Sequence, residues 1–317
     1  MWNLSRKQMF LSKDFIETAE GLIFAVVAQG TEQGKALCFL RYIKIDEGWK
    51  KVDTEQANAF LKQHCAEYLH YSSFLDAQLH AVAIESIVKH HQPKQHLQQL
   101  MLKKQKDIIE DDFFQLCILF KQHGLNLRQI GITGSLLVGL QKQSSDIDLV
   151  CYERAVFHQC RAITQELIKQ RKLQELSNKD WRESYQRRSC ELSFVEYVWH
   201  ERRKVNKAVI NGRKFDLNFI DASFRSQAIN YQKCGTTTLQ CKVVDDAHAF
   251  DYPAEFKIDH EQFDTVVCFT ATYTGQAVKG EVIEVSGAIE QTLQGLKRIV
   301  VGSTREAQGE YIKVIRV

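Results

Sequence analysis

The sequence predicts an α+β protein in three parts: an N-terminal α/β domain (1–100), a mixed-sheet core with helices (101–232), and a β-rich C-terminal domain (233–317). Three observations lead there. Amphipathic helical periods alternate with short apolar runs in the middle segment, glycines separate short β-like runs after residue 233, and 317 residues at 44% hydrophobic content suffice for two or three cores.

In chain order, residues 21–28 and 36–44 read as strands joined by the turn-prone 29–35, and 54–68 as a helix with Ala57, Phe60, Leu61, His64 and Cys65 on one face. Pro93 and Pro253 punctuate the chain, and the lysine-rich 95–106 reads as a linker or helix start. From Asp107, Ile108, Ile109, Phe113, Cys117 and Phe120 form a helical stripe that stops at Gly124. Residues 129–133 read as a strand and 135–140 as a short helix. Two further helices follow at 155–169 and 194–206, with the polar, partly basic 181–188 between them. In the tail, 239–244, 265–273, 281–285, 297–301 and 311–317 read as strands, with glycine turns at 275, 280, 287, 302 and 309. A small antiparallel barrel or sandwich results, an OB-like barrel being one candidate.

The most informative stretch is 131–150. Gly134 and Ser135 fall in a strand-to-helix turn whose backbone N–H groups suit an anion, and Ser135 adds a hydroxyl donor. Gly134 lacks a Cβ, so phosphates can approach the backbone; Gly139 either packs the little helix closely or caps it. Ser-Asp-Ile-Asp-Leu then opens a strand. Side chains alternate there, so Asp146 and Asp148 share one face about 7 Å apart while Ile147 and Leu149 face the core. A solvated acidic strand is the bland alternative. Holding two Mg²⁺ ions on a triphosphate calls for a third carboxylate. Asn211-Gly212 between apolar runs is a hairpin signal, and in the following strand Phe215, Leu217 and Phe219 alternate with Asp216 and Asn218. Asp216 is therefore the third candidate ligand, and Asp221 is read as a cap or loop residue.

The pattern GS-x3-G-x6-DID with a later single aspartate resembles the DNA polymerase β-type nucleotidyltransferase superfamily over about residues 105–225. The resemblance implies a polymerase-β-like core in which Gly134 and Ser135 bind the β- and γ-phosphates and Asp146 and Asp148 hold two Mg²⁺ ions, Mn²⁺ being an alternative. Asp216 would bind the metal facing the acceptor and help deprotonate its hydroxyl. The whole chain also resembles predicted archaeal nucleotidyltransferases of unknown role, through residues 14–27 and 301–307.

Arg202, Arg203, Lys204, Lys207, Arg213 and Lys214 crowd the approach to Asp216, with Glu201 the one acid among them. They form either a solvated face or a phosphate contact, and Lys207 is the cation chosen for the latter; Arg187 and Arg188 share the ambiguity. In the tail, Tyr252, Phe256, Lys257, Tyr273, Lys279, Lys297 and Arg298 suit a single-strand binding face, or the aromatics are barrel core. Gly302-Ser303 repeats the glycine-serine pair without a following Asp-x-Asp.

Nine cysteines without a CxxC pair read as reduced core residues of a cytoplasmic protein. The N-terminus lacks an apolar leader, 21–28 is too short to span a membrane, and a net charge of +3 does not by itself announce nucleic acid. There is no HExxH, P-loop or dinucleotide-binding fingerprint. The expectation is a cytoplasmic, Mg²⁺-dependent nucleotidyltransferase, a transferase of phosphorus-containing groups. It moves a nucleoside monophosphate from an NTP to an acceptor hydroxyl, with RNA such as a tRNA favoured. A protein or small-molecule acceptor is the runner-up, and non-catalytic nucleotide or RNA binding the third reading.

Overall fold

The computed structural model describes residues 9–73, 75–188, 190–221, 231–304 and 307–315. Most of the basic N-terminal stretch, residues 305 and 306 of the tail phrase, and the end of the 311–317 run lie outside these. By backbone proximity the described chain forms two compact units, one from residues 9–72 and 78–156, the other from 73–77, 157–221 and 231–315.

The first unit opens with seven strands: β1 (Phe15–Thr18), β2 (Leu22–Val26), β3 (Lys35–Ile45), β4 (Gly48–Lys51), β5 (Leu69–Ser72), β6 (Ala77–Ala83) and β7 (Ile87–His91). They pair in the order β5-β6-β3-β2-β1-β7, with β4 on β3. Neighbours around β1, β2 and β3 run antiparallel, so the α/β domain read from the sequence is a meandering sheet with α1 (Thr54–His64) packed on it. Short strands such as β1 and β7 carry too few residues to show a period. Strand alternation gives the sheet two apolar faces. Ile16, Phe24, Cys38 and Leu40 pack under α1 through its Ala57 and Leu61, while Phe15, Ile23 and Tyr42 face the other way.

Of the two readings of 95–106, linker or helix start, the helix holds through Leu102 as α2 (Pro93–Leu102): Pro93 starts it at a position where no N–H is needed, and Leu97 and Leu100 anchor it. Next comes α3 (Ile108–Gln122), begun by a capping box in which Asp107 accepts from the Glu110 N–H and Glu110 reaches back. Ile108 stands 64% exposed, outside the expected stripe, and Leu116 takes its place. The segment closes with β8 (Ile130–Thr133), α4 (Gly134–Val138) and β9 (Ile147–Cys151); β8 and β9 pair antiparallel, Thr133 opposite Asp148. On α4, Leu137 packs against Phe15, Ile23 and Tyr42, so the N-terminal sheet backs this little helix.

The second unit carries α5 (Arg154–Lys169), α6 (Asn178–Arg188), α7 (Phe194–Lys204), the hairpin β10 (Lys207–Ile210) and β11 (Arg213–Phe219), and six more strands. These are β12 (Gln232–Asp245), β13 (Ala254–Asp259), β14 (Thr265–Cys268), β15 (Val282–Gln291), β16 (Lys297–Val301) and β17 (Tyr311–Val314). The first five close on themselves in the order β12-β13-β14-β16-β15-β12, with β14 and β16 parallel and β17 added to β15. The expected barrel is therefore present, closed and five-stranded. Gly287 is no turn: it lies inside β15, where a Cβ would come within 2.4 Å of the Val300 carbonyl oxygen, so only glycine permits this approach to β16. Val243, Phe256, Val266, Val285 and Ile299 fill the barrel, and Trp181 of α6 and Tyr197 of α7 join the same core.

Candidate functional site

The glycine-serine turn and the aspartate pair meet in the first unit. Thr133 leaves β8 in an extended conformation, and its hydroxyl donates to the Lys13 carbonyl at 2.7 Å rather than capping α4. Gly134 then takes φ +70°, a conformation costly for any residue with a side chain. A Cβ on Gly134 would sit 2.4 Å from Oδ2 of Asp148. The turn and the second carboxylate are thus in direct apposition, and the glycine is what allows it. Asp146 and Asp148 are half-buried while Ile147 and Leu149 are fully buried, as strand alternation requires. Ser135 is half-buried one step into α4, and Gly139 ends that helix in the left-handed conformation with open space where a Cβ would go, so it caps rather than packs.

Neighbours not foreseen from the sequence fix this arrangement. Gln141, in the loop before the aspartates, donates to Asp107 at 2.7 Å, so the cap of α3 also ties down that loop. Ser145 and Lys142 close it with two mutual hydrogen bonds. Burial raises the Tyr42 phenol pKa, and the Asp148 carboxylate adds to the rise against the opposing pull of Arg41, which puts β3 within electrostatic reach of the site. No sequence signal linked Tyr42, more than a hundred residues upstream, to Asp148.

The second unit holds the remaining candidates. Asn211 and Gly212 both adopt positive φ, +50° and +79°, the pattern of a two-residue hairpin turn. Phe215, Leu217 and Phe219 are buried; Asp216 and Asn218 stay on the more open face, and Asp216 lies directly across from Lys207. Asp221 follows the end of β11, in keeping with a loop role. Lys207 donates to Glu201, whose other oxygen accepts from Lys204 at 2.5 Å; Lys204 also donates to the Thr272 carbonyl at 2.8 Å. Burial raises the Glu201 pKa, but the two ammoniums outweigh it and hold the carboxyl at about 2. Burial likewise pulls Lys207 down, and Glu201 with Asp216 more than restores it, leaving its pKa above the usual lysine value. The one acid in the basic stretch is therefore the buried hub of two lysines. Of the other cations, Lys214 lies 3.4 Å from Glu183 and Arg203 2.5 Å from Glu281.

Among the described residues, no three or more His, Cys, Asp or Glu side chains gather as a metal-holding group. The fit to Mg²⁺ is of another kind. That ion commonly takes one or two carboxylates and completes its shell with water and substrate phosphates. Asp146 and Asp148 beside a turn that leaves no room for a Cβ match this demand.

In the barrel, Phe256 and Tyr273 are buried and belong to the core, which decides against them as stacking platforms; Lys257 pairs with Glu255 and Arg298 with Glu290. At the second glycine-serine turn, Gly302 and Ser303 donate their N–H groups to the Glu310 carboxylate at 2.6 and 2.8 Å. Seven of the nine cysteines are buried, and none forms a disulfide. No described helix is long and apolar enough to cross a membrane.

Fold and site together define an α+β protein with a closed C-terminal barrel and a glycine turn set against a carboxylate. The chain is 31% identical to the "Uncharacterized protein MJ1086" of Methanocaldococcus jannaschii, over 96% of its own length and 98% of that protein's, and belongs to the same family. No protein-family profile matches the chain, and no solved structure does.

Proposed function

We propose that this protein is a metal-dependent nucleotidyltransferase of polymerase-β type, transferring a nucleoside monophosphate from an NTP to an acceptor hydroxyl with release of pyrophosphate. The observation that carries the reading is the apposition of Gly134 and Asp148, so close that a Cβ on the glycine would fall 2.4 Å from Oδ2. A bare backbone turn and a carboxylate in apposition are what a triphosphate and its counter-ion need at one place. The barrel's closure, with one parallel pair in an otherwise antiparallel circuit, supports the OB-like reading of the tail.

In this reading Asp146 and Asp148 hold Mg²⁺ or Mn²⁺, and Asp216 is the third carboxylate that the sequence pattern assigns to the reaction. A bound divalent ion supplies charge neutralisation on the transferring phosphoryl group and acidifies the attacking hydroxyl. Gly134 lets the Asp148 carboxylate lie against the turn, and Ser135 donates its hydroxyl to the phosphates. Asp216, held on the polar face of β11, accepts the acceptor's proton. Lys207, kept charged by Glu201, lends positive potential at Asp216. Alignment and charge account for the catalysis. RNA is the acceptor proposed, and the cytoplasm the compartment.

Incubation with each α-labelled NTP, Mg²⁺ or Mn²⁺, and total RNA or cell lysate tests the proposal. Label is expected in RNA, and Asp146→Ala combined with Asp148→Ala should abolish it. Label in a protein or metabolite instead would select the other acceptor class. Absence of transfer under every condition would leave a nucleotide- or RNA-binding protein.

A further inference from the structure

One face of α7 presents a stripe the catalytic reading does not use. Phe194, Val195, Val198, Trp199, Arg202 and Arg203 recur at helical spacing and line a shallow groove of about 540 Å³. Val195 is 71% exposed and Arg202 is exposed, while Phe194, Val198 and Trp199 are half-buried and pack against the core that Tyr197 enters. The rings are set for cations: Arg182 of α6 lies 5.0 Å over Phe194, and Arg203 lies 4.4 Å over Trp199. Arg203 uses Nη2 on Glu281, while its Nη1 is buried without a hydrogen-bond partner. The guanidiniums of Arg202 and Arg203 thus line an apolar, aromatic groove, with that of Arg182 over one of its rings.

We infer that this groove binds single-stranded RNA. The inference rests on the proposed RNA acceptor and assigns the surface that holds it. Charge complementarity selects a polyanion, and rings interleaved with guanidiniums select one with flat bases to stack. Phe194 and Trp199 are five residues apart, about 7.5 Å along the helix, which suits bases splayed onto separate platforms rather than stacked on each other. Arg202 and Arg182, both exposed, then face phosphates.

The test is a fluorescence-anisotropy titration of the full chain with a short labelled single-stranded RNA, in chelator and without NTP. Trp199→Ala should weaken binding about tenfold. Arg202→Gln, on an exposed position that leaves the fold intact, should weaken it severalfold and reduce the slope of log affinity against log salt by about 0.7. Unchanged affinity in Arg202→Gln, equal or tighter binding of the matching DNA strand, or capture of a poly-glutamate peptide in preference to RNA would each overturn the inference. Because neither metal nor nucleotide is present, such a failure is separate from the outcome of the label-transfer experiment.

Discussion

Gly134 and Glu201 each answer a local demand that the sequence states only in part. The glycine-serine-aspartate spacing was legible because turn, strand and alternation are local rules, and the structure brings Gly134 to Asp148 across a two-strand ladder. Replacing Gly134 with Ala adds both a left-handed strain of about 1–2 kcal/mol and a collision with Asp148. A thermal melt should show a modest loss of stability, and filter binding of labelled NTP a loss of at least tenfold; unaltered nucleotide binding would remove the turn from the site. Glu201 was readable as an acid among bases but not as a buried one, since its burial depends on tertiary packing. Glu201→Gln leaves two buried ammoniums without the carboxylate that lies between them and should cost about 3–5 kcal/mol. The sign with pH follows from the depressed carboxyl: its stabilisation is full above the unfolded value near 4.5 and is lost as pH falls towards about 2. Acid titration of stability should therefore be shallower in Glu201→Gln than in the parent.

At the scale of elements, strong periods were legible and short or polar ones were not. The helices α3, α5 and α7 and the β10–β11 hairpin follow from capping residues, apolar stripes and Asn211-Gly212. The helix α2 was legible only as an alternative to a linker, because its one lysine and three glutamines leave two leucines on one side to carry its packing. In β13, Ala254, Phe256 and Ile258 alternate with Glu255, Lys257 and Asp259, yet only six residues express the period. Gly287 misled in the other direction, since glycine signals close backbone approach as well as turns. Gly287→Val should drive Cγ and Cβ atoms into the Val300 carbonyl and unzip β15 from β16. Hydrogen exchange is expected to rise across 282–291 and 297–301 while β8 and β9 keep their protection; unchanged exchange in the barrel would mean the close approach is dispensable.

For the whole molecule, the sequence carried the mixed α+β class and a β-rich tail that was either barrel or sandwich, but strand order in the N-terminal sheet rests on pairings between residues far apart in the chain, as β3 with β6. Such pairings leave no periodic trace. The neighbours that hold the candidate site, Tyr42, Lys13 and Asp107, come from such distant positions, and so the turn and its acids could be read while their supports could not. The seating of Glu310 on Gly302 and Ser303 has a consequence of its own. It saturates that corner with an anion tethered eight and seven residues away, at an effective concentration no dissolved metabolite matches. A glycine-serine corner so filled has no place left for a phosphate compound, which the proposed function assigns to Gly134 and Ser135 alone.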